Sequence, residues 1–216
     1  SNDGLVPIIY DQSTNGNNLT QTTASNQLEI VDAGSLVTSN SLAATQGSSS
    51  TGGETSSIAF SGMSDIWFFT VVDITTTSGN QVLFESSANQ NTDFGGFLIW
   101  INANKLKVVN KASTVGYVVT EYNISTGRQL ISIRMRQGVD KDSFSEVYIN
   151  GTQISLDSSS GTLDTAFTDN VLYLNARAGT SLGFLGKRQA SIFYPSNQSA
   201  NRVGIETNLN NYYGIY

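Results

Sequence analysis

Carboxylates near predicted turns are the first residues in this sequence that could do chemistry. Asp11 lies in a compact polar run, Tyr10-Asp11-Gln12-Ser13-Thr14-Asn15-Gly16-Asn17-Asn18. Its carboxylate and amide oxygens are ligands that calcium prefers, and they also suit sugar hydroxyls. The same groups can bond backbone amides in an ordinary turn, in which Gly16 takes a positive φ. We favour the self-satisfied turn over a ligand site.

A second group of carboxylates, Asp140, Asp142 and Glu146, surrounds a predicted hairpin loop. The number of oxygens would suffice for calcium. However, Lys141 lies among them, which favours a solvated turn. We therefore expect no cofactor. Calcium remains a weak alternative, with Asp11, Asp140 and Asp142 as its candidate ligands.

Catalytic chemistry is narrowed by the residue types that the chain lacks. The 216 residues include no His and no Cys. This excludes a Ser-His-Asp triad, a cysteine nucleophile, disulfides and zinc sites built from imidazole or thiolate. A retaining glycoside hydrolase needs two carboxyl groups about 5 Å apart, and the sequence alone does not place such a pair. We expect no enzyme, and glycoside hydrolysis is the one enzyme class left open.

The composition also narrows the possible partners. Charged residues make up 13% of the chain and the net charge is −6, whereas a protein that binds duplex DNA is expected to be basic. No apolar run reaches the ~18 residues of a membrane span, so we expect no membrane insertion. Ser, Thr and Asn form about a third of the chain, and the 10% aromatic content argues against disorder. This composition is typical of extracellular adhesins, virion fibres and sugar-binding modules.

The sequence predicts many short strands, which is the pattern of an all-β sandwich or jelly roll. The predicted strands cover residues 58–60, 66–74, 81–86, 94–101, 105–110, 117–121, 128–136, 146–149, 152–155, 171–175 and 181–194. Strand 66–74 is almost continuously apolar, as expected for a central strand covered on both faces. Asn150-Gly151 predicts a type I′ hairpin turn.

One helix is predicted near the C-terminus, after Pro195, with Ser196 or Ser199 as its cap. An isolated helix of this length is marginal in water. We therefore expect its apolar residues to dock on the sandwich, namely Val203, Ile205, Leu209 and Tyr213. Residues 1–216 are predicted to form a single domain, and the Ser/Thr/Gly-rich stretch 39–57 a flexible loop within it.

Strand alternation predicts one outer face for ligand binding. If strands 94–101, 105–110, 128–136 and 146–149 neighbour one another as a meander, their residues that point away from the core share one surface. Those residues are Trp100, Lys105, Lys107, Arg134, Arg136, Glu146 and Tyr148. The aromatic rings can stack on a sugar, and the basic side chains favour an anionic one. A solvated charged face, with Trp100 covered by a loop or a neighbouring subunit, is the simpler interpretation and carries more weight.

Four tracts resemble a known family. They are Tyr10-Asp11-Gln12-Ser13 through Asn17, Ala24-Ser25-Asn26-Gln27, Ser145 through Gly151, and Ser191 through the ending Asn211-Tyr212-Tyr213-Gly214-Ile215-Tyr216. They are similar to motifs of concanavalin A-like domains of the laminin-G-like and arabinofuranosidase-B-like types, which occur in bacterial surface proteins and phage virion proteins. The resemblance spans residues 8–216. It implies a concanavalin A-like jelly roll of two antiparallel sheets with one short C-terminal helix.

The same resemblance sets the functional expectations. The family carries a further segment before the first tract, so we expect this chain to be a piece of a larger polypeptide. The leading hypothesis is a non-catalytic carbohydrate-binding or adhesion domain of a phage virion fibre or decoration protein, located extracellularly or on the virion surface. Its expected partners are a cell-surface polysaccharide or glycan and neighbouring virion subunits, with a homo-oligomer in the parent protein. The alternatives are a purely structural virion domain and a glycoside hydrolase.

Overall fold

The structure is a computed structural model that describes residues 2–87, 92–111, 116–163 and 166–216. Its strands, in chain order, are β1 (Gly4–Val6), β2 (Ile8–Ile9), β3 (Leu19–Thr20), β4 (Leu28–Asp32), β5 (Ser35–Leu36), β6 (Thr38–Ser39), β7 (Leu42–Ala43), β8 (Thr45–Gln46), β9 (Gly53–Ile58), β10 (Asp65–Ile74), β11 (Asn80–Ser86), β12 (Phe97–Asn102), β13 (Lys105–Lys111), β14 (Tyr117–Asn123), β15 (Gly127–Arg136), β16 (Ser145–Ile149), β17 (Thr152–Ile154), β18 (Ser158–Ser160), β19 (Asn170–Leu174) and β20 (Gly186–Tyr194). The helix α1 covers Arg202–Tyr213, and short 3₁₀ turns lie at Ala24–Asn26 and Lys141–Ser143.

Two large antiparallel sheets form a sandwich. The back sheet has the order β1-β4-β8-β20-β10-β15-β16-β17, with β5 attached to β4, and the front sheet has the order β18-β14-β13-β12-β11-β19-β9-β3-β2. Strands β6 and β7 form a separate hairpin. The predicted all-β jelly roll with one C-terminal helix is therefore confirmed.

Strand β10 lies at the centre of the back sheet and is covered on both faces, as its sequence predicted. Its alternate residues Ile66, Phe68, Val72 and Ile74 point between the sheets, and Trp67, Phe69 and Val71 point outward. Period-two alternation normally leaves one polar face, but here both sets are apolar because α1 covers the outer one.

Aromatic rings fill the space between the sheets. The Phe68 ring from the back sheet lies 4.6 Å from the Phe84 ring of the front sheet, centroid to centroid, and 5.7 Å from that of Phe97. Phe60 meets Phe97 edge to face at 5.2 Å. Such contacts add about 0.5–1.5 kcal/mol per pair beyond the area that they bury, so this layer holds the two sheets in one relative position.

Helix α1 packs against the outer face of the back sheet. Leu209 is buried, and Ile205 and Tyr213 contact the same cluster around Trp67 and Phe69. The prediction that these three residues dock is confirmed. The prediction for Val203 is wrong: the side chain is 60% exposed, because its position in the first turn of α1 faces solvent.

The ends of α1 differ in how they are capped. Asn201 precedes the helix without a capping side-chain bond, so neither Ser196 nor Ser199 is the cap. At the other end Gly214 adopts φ +60° and donates its N–H to the carbonyl of Asn210, a left-handed C-cap that glycine permits. Arg128 donates to the carbonyl oxygens of Tyr213 and Gly214 at 2.7 and 2.9 Å, which ties this end to the sheet.

Two predictions about turns have opposite outcomes. Asn150 and Gly151 have φ values of +51° and +77°, as a type I′ turn requires. The stretch 39–57, by contrast, is not simply a loop, because it contains β7, β8 and most of β9. Its small residues serve close packing: a Cβ added at Gly52 would lie 2.7 Å from the Cβ of Ala176.

No helix of the described ranges is long and apolar enough to cross a membrane.

The helix contact leads to a stability prediction. Leu209→Ala should lower the free energy of unfolding by about 2–4 kcal/mol, because it opens a cavity over the outer face of β10. Val203→Ala, on the exposed side of the same helix, is the matched control and should stay within about 0.5 kcal/mol of the parent. Urea unfolding measures both, and equal effects of the two substitutions would contradict the observed docking.

Deleting residues 199–216 should lower the melting temperature by several degrees or prevent folding.

Candidate functional site

Side chains on the outer surface of the front sheet form ordered rows; we call this surface the front face. Strand register sets the rows, because residues that pair across neighbouring strands point to the same side. One row runs Ser158, Glu121, Lys107, Trp100 and Val82. The next row runs Ser160, Val119, Val109, Leu98, Glu85, Tyr173, Glu54 and Thr20.

Trp100 is the central aromatic residue of the front face. Its ring packs on a small apolar cluster of Val82, Leu98 and Val109 and remains partly exposed. Its Nε1 is buried, and no residue that the structure describes accepts a hydrogen bond from it. An indole that packs on apolar side chains and remains partly exposed can stack on a ligand with its exposed surface.

Paired charges lie beside Trp100. Lys107 Nζ is 2.7 Å from Glu121 Oε1, and Lys105 Nζ is 2.8 Å from Asp157 Oδ2. The hydrogen bond from Lys107 lowers the pKa of the Glu121 carboxyl. Each of these pairs is partly exposed, so it presents both donors and acceptors to a ligand.

Glu85 is a buried carboxyl group in the second row. Its side chain is 1% exposed, the Ser87 hydroxyl donates to Oε1 at 3.0 Å, and Arg177 Nε lies 3.4 Å from the same oxygen. Burial raises the pKa of this carboxyl, and the positive charge of Arg177 opposes that effect. Between Glu85 and Glu54 lies Tyr173, whose pKa is raised by burial and by both neighbouring carboxylates.

Sequence reasoning missed Glu85, Arg177 and Tyr173. A signal was available for Glu85, since it is the single charge in the apolar run Val82-Leu83-Phe84-Glu85. Arg177 had no comparable signal, because it reaches Glu85 from a turn more than ninety positions later in the chain.

The predicted seven-residue platform does not form. Trp100, Lys105 and Lys107 lie on the front sheet, whereas Arg134, Arg136, Glu146 and Tyr148 lie on β15 and β16 of the back sheet. The alternation of each strand was predicted correctly, but the meander was wrong. After β14 the chain crosses to the other sheet, where β15 pairs with β10 from Gly127 to Arg136. The two groups therefore face opposite sides of the sandwich.

The back-sheet group forms an ion network next to α1. Arg134 Nη2 lies 2.6 Å from Asp65 Oδ2, and its Nε donates to the same carboxylate. Glu146 accepts from Arg134 at 3.4 Å and from Arg136 at 2.8 Å. The hydrogen bonds to Asp65 raise the pKa of Arg134.

Tyr148 is covered by the helix. The guanidinium of Arg202 lies 3.9 Å from the centre of its ring, and Arg202 also pairs with Glu206. A charge–ring contact at this distance stabilises the docked helix. Tyr148 therefore serves packing at this face.

A polar cavity of about 360 Å³ opens at the side of the back-sheet network. Arg136, Asp142, Glu146 and Gln153 are among its lining residues, with Tyr122 on the inner side. Tyr122 donates to the carbonyl of Ser145 at 2.7 Å, so its hydroxyl is already used.

The carboxylates suggested as calcium ligands have partners from the protein. Asp11 accepts from the N–H of Ser13 at 2.8 Å and from that of Asn17 at 2.9 Å, and these bonds lower its pKa. Asp142 lies 2.5 Å from Lys141 Nζ and also accepts from Ser159, while Asp140 precedes the short 3₁₀ turn. Within the described ranges no three His, Cys, Asp or Glu side chains form a group that could hold a metal ion.

Comparisons with known proteins bear on the fold. No family model and no curated protein matches the sequence. Among solved structures, the chain is similar to the binding domain of Paraclostridial Mosquitocidal Protein 1, with 17% identity and TM-score 0.61 over 97% of this chain and 51% of that one. It is similar to a GH54 α-L-arabinofuranosidase, with 16% identity and TM-score 0.55 over 94% of this chain and 50% of that one. This chain thus spans about half the length of these two proteins.

A third structure covers a smaller part of this chain. The CBM40 domain of the Ruminococcus gnavus IT-sialidase matches 76% of this chain and 96% of its own length, with 13% identity and TM-score 0.51. The same domain has been solved bound to α2,3-sialyllactose. At such low identity these likenesses concern architecture, and they show a jelly-roll fold of two antiparallel sheets.

The buried Glu85 leads to a prediction about pH. Its folded-state pKa is raised above the usual 4.5, so the folded protein loses stability as pH rises and this carboxyl ionises. The glutamine of the Glu85→Gln variant cannot ionise. The free energy of unfolding of this variant minus that of the parent should therefore be larger at pH 8 than at pH 4. Urea unfolding at both pH values measures this difference. Glu54→Gln, at an exposed position of the same row, is the control, and a pH-independent difference for Glu85→Gln would contradict the assignment.

Proposed function

We propose that this chain is a non-catalytic carbohydrate-binding module and that a glycan lies on the front face over Trp100. The observation that carries the proposal is the partly exposed indole on its apolar floor, with the Lys107–Glu121 pair next to it in the same row. A pyranose presents an apolar face and a rim of hydroxyls. The indole suits the apolar face, and the paired charges can donate to and accept from the hydroxyls.

The charge pattern favours a neutral glycan. The sequence predicts an anionic sugar, because strand alternation with a meander places basic residues on one face with Trp100. Arg134 and Arg136 are on the opposite sheet, and Lys105, Lys107 and Arg177 each have a carboxylate partner. Because these three cations already have carboxylate partners, an acidic substituent of a sugar gains less from them than it would from an unpaired guanidinium or ammonium.

We further propose that the module contacts a bacterial surface as part of a phage virion fibre or decoration protein. The supporting observations are the resemblance of its terminal tracts to domains of virion proteins and the Ser/Thr/Asn-rich composition with 13% charged residues. The solved relatives named above include toxin and glycosidase modules, in which such a fold forms part of a longer chain.

Glycan binding can be tested on an array that contains neutral and acidic polysaccharides, followed by titration calorimetry with the strongest ligand. Trp100→Ala should weaken binding at least about tenfold, or about 1.4 kcal/mol, because it removes the stacking surface. Lys107→Met should weaken it as well. Tyr148→Phe on the back sheet is the matched control and should bind like the parent.

The outcomes separate the hypotheses. If no glycan binds, the domain serves assembly, as in the structural-virion alternative. Selective binding of acidic glycans would contradict the charge argument, and loss of binding in Tyr148→Phe but not in Trp100→Ala would move the site to the back sheet. Because Trp100 also packs on Leu98, the melting temperature of each variant must be compared with that of the parent.

A second candidate function, glycoside hydrolysis, rests on the row that contains Glu85 and Glu54. The two carboxylates flank Tyr173 and lie two strands apart on the front face. Two strand spacings amount to about 10 Å, near the upper end of the separation in inverting enzymes. A raised pKa suits a general acid. We rank this function second because the buried Glu85 is paired with Arg177 and lies out of reach of a substrate.

Hydrolysis has a direct test. The parent, incubated with every glycan that it binds, should release no reducing sugar. If sugar is released, Glu54→Gln and Glu85→Gln should each abolish the release while they keep glycan binding. Release that survives both substitutions would exclude this pair as the catalytic groups.

A further inference from the structure

A cavity of about 330 Å³ lies between the two sheets, away from the front face. It opens beside β20, where β1, β4 and β8 complete the back sheet and β2 lies opposite. Most of its lining is aliphatic and includes Ile8, Ile9, Ile30 and Leu174. This volume is at the lower end of the range for small-molecule sites.

Arg188 is the charged residue of this cavity, and it is 5% exposed. Its side chain points between the sheets, where the guanidinium lies 4.9 Å from the centre of the Phe84 ring and 5.5 Å from that of Phe184. Burial alone lowers its pKa to about 9. Buried charges are normally paired, because removing a lone ion from water is costly.

The partners of this guanidinium are neutral. Nη1 donates to the Thr70 and Ser191 hydroxyls at 2.8 and 3.2 Å, and Nη2 donates to the carbonyl of Leu83 at 3.2 Å. Among the residues that the structure describes, none accepts a hydrogen bond from its Nε. No ion pair within the described ranges includes Arg188, in contrast to Arg134 and Arg177, which have carboxylates.

The guanidinium is within reach of the cavity mouth. Strand β8 pairs with β20 at Lys187 and Arg188, so this ladder ends before Ser191. Ser191 lines the cavity there and is exposed, and its hydroxyl contacts Arg188 Nη1. A ligand that enters past Ser191 therefore meets the guanidinium at the inner end.

We propose that this cavity binds a small carboxylate with an aliphatic body. The carboxylate would pair with Arg188 and accept from the Ser191 hydroxyl, and the hydrocarbon would lie among Ile9, Ile30 and Leu174. The ligand's carboxylate is the counter-ion that the guanidinium lacks, and it binds through charge-assisted hydrogen bonds. Burial of the ligand's hydrocarbon against the aliphatic lining removes apolar surface from water, which favours binding. This site is separate from the glycan site and does not depend on it.

Octanoate is a suitable probe, and octan-1-ol is its uncharged counterpart. Titration of the full chain with octanoate should give saturable binding and raise the melting temperature, since a ligand that binds the folded state stabilises it. Octan-1-ol should bind at least about tenfold more weakly, because it leaves the guanidinium unpaired. Equal binding of the two, or no saturable octanoate binding up to about 10 mM, would overturn the proposal.

Variants and resonance mapping make the test specific. Arg188→Met should fold, because it replaces an unpaired buried charge with an apolar chain, and it should weaken octanoate binding about tenfold or more. Lys187→Met, on the neighbouring residue, is the control and should bind like the parent. If Arg188→Met fails to fold, NMR of the parent decides: octanoate should shift amide resonances of residues 188–191 and not those of 98–100, and the reverse pattern would refute this site.

Discussion

The structure depends on β10 being held between two apolar layers. Phe68 and its neighbours on one face meet Phe84 and Phe97 of the front sheet, and Trp67 and Phe69 on the other face meet α1. A strand that is apolar on both sides cannot be left at a surface without exposing large rings to water. The helix is therefore a third layer of the domain, and its docking stabilises the back sheet.

This constraint makes the two outer faces of the sandwich unequal. On the back face the aromatic and charged residues already have partners within the protein. Tyr148 lies under Arg202 of the helix, and Arg134 pairs with Asp65. The front face has no helix over it within the described ranges. Its rows combine an indole with partly exposed ion pairs, which is the chemistry that a sugar ligand uses. The asymmetry supports the choice of the front face as the candidate glycan surface.

Two of the buried charged residues, Glu85 and Arg188, have different kinds of partner. Glu85 on the front face has Arg177 beside it, and burial still raises its pKa. Arg188, between the sheets, has hydroxyl and carbonyl partners and an adjacent cavity. Because a buried guanidinium is normally paired, one without a carboxylate partner beside an aliphatic cavity is best explained by a ligand of opposite charge.

The sequence by itself determined the local features of this protein. Alternation in Phe97–Asn102 and Gly127–Arg136 predicted which side chains face the core, Asn150-Gly151 predicted its turn, and the apolar run of β10 predicted a strand covered twice. Only the tertiary structure decided which strands share a sheet. Strand pairing joins residues far apart in the chain, such as Asp65 with Arg136 and Tyr173 with Glu54, and no short-range pattern encodes that choice. For this reason the orientation of Trp100 and Arg134 could be predicted one strand at a time, whereas their separation onto opposite faces, and the meeting of Glu85 with Arg177, could not.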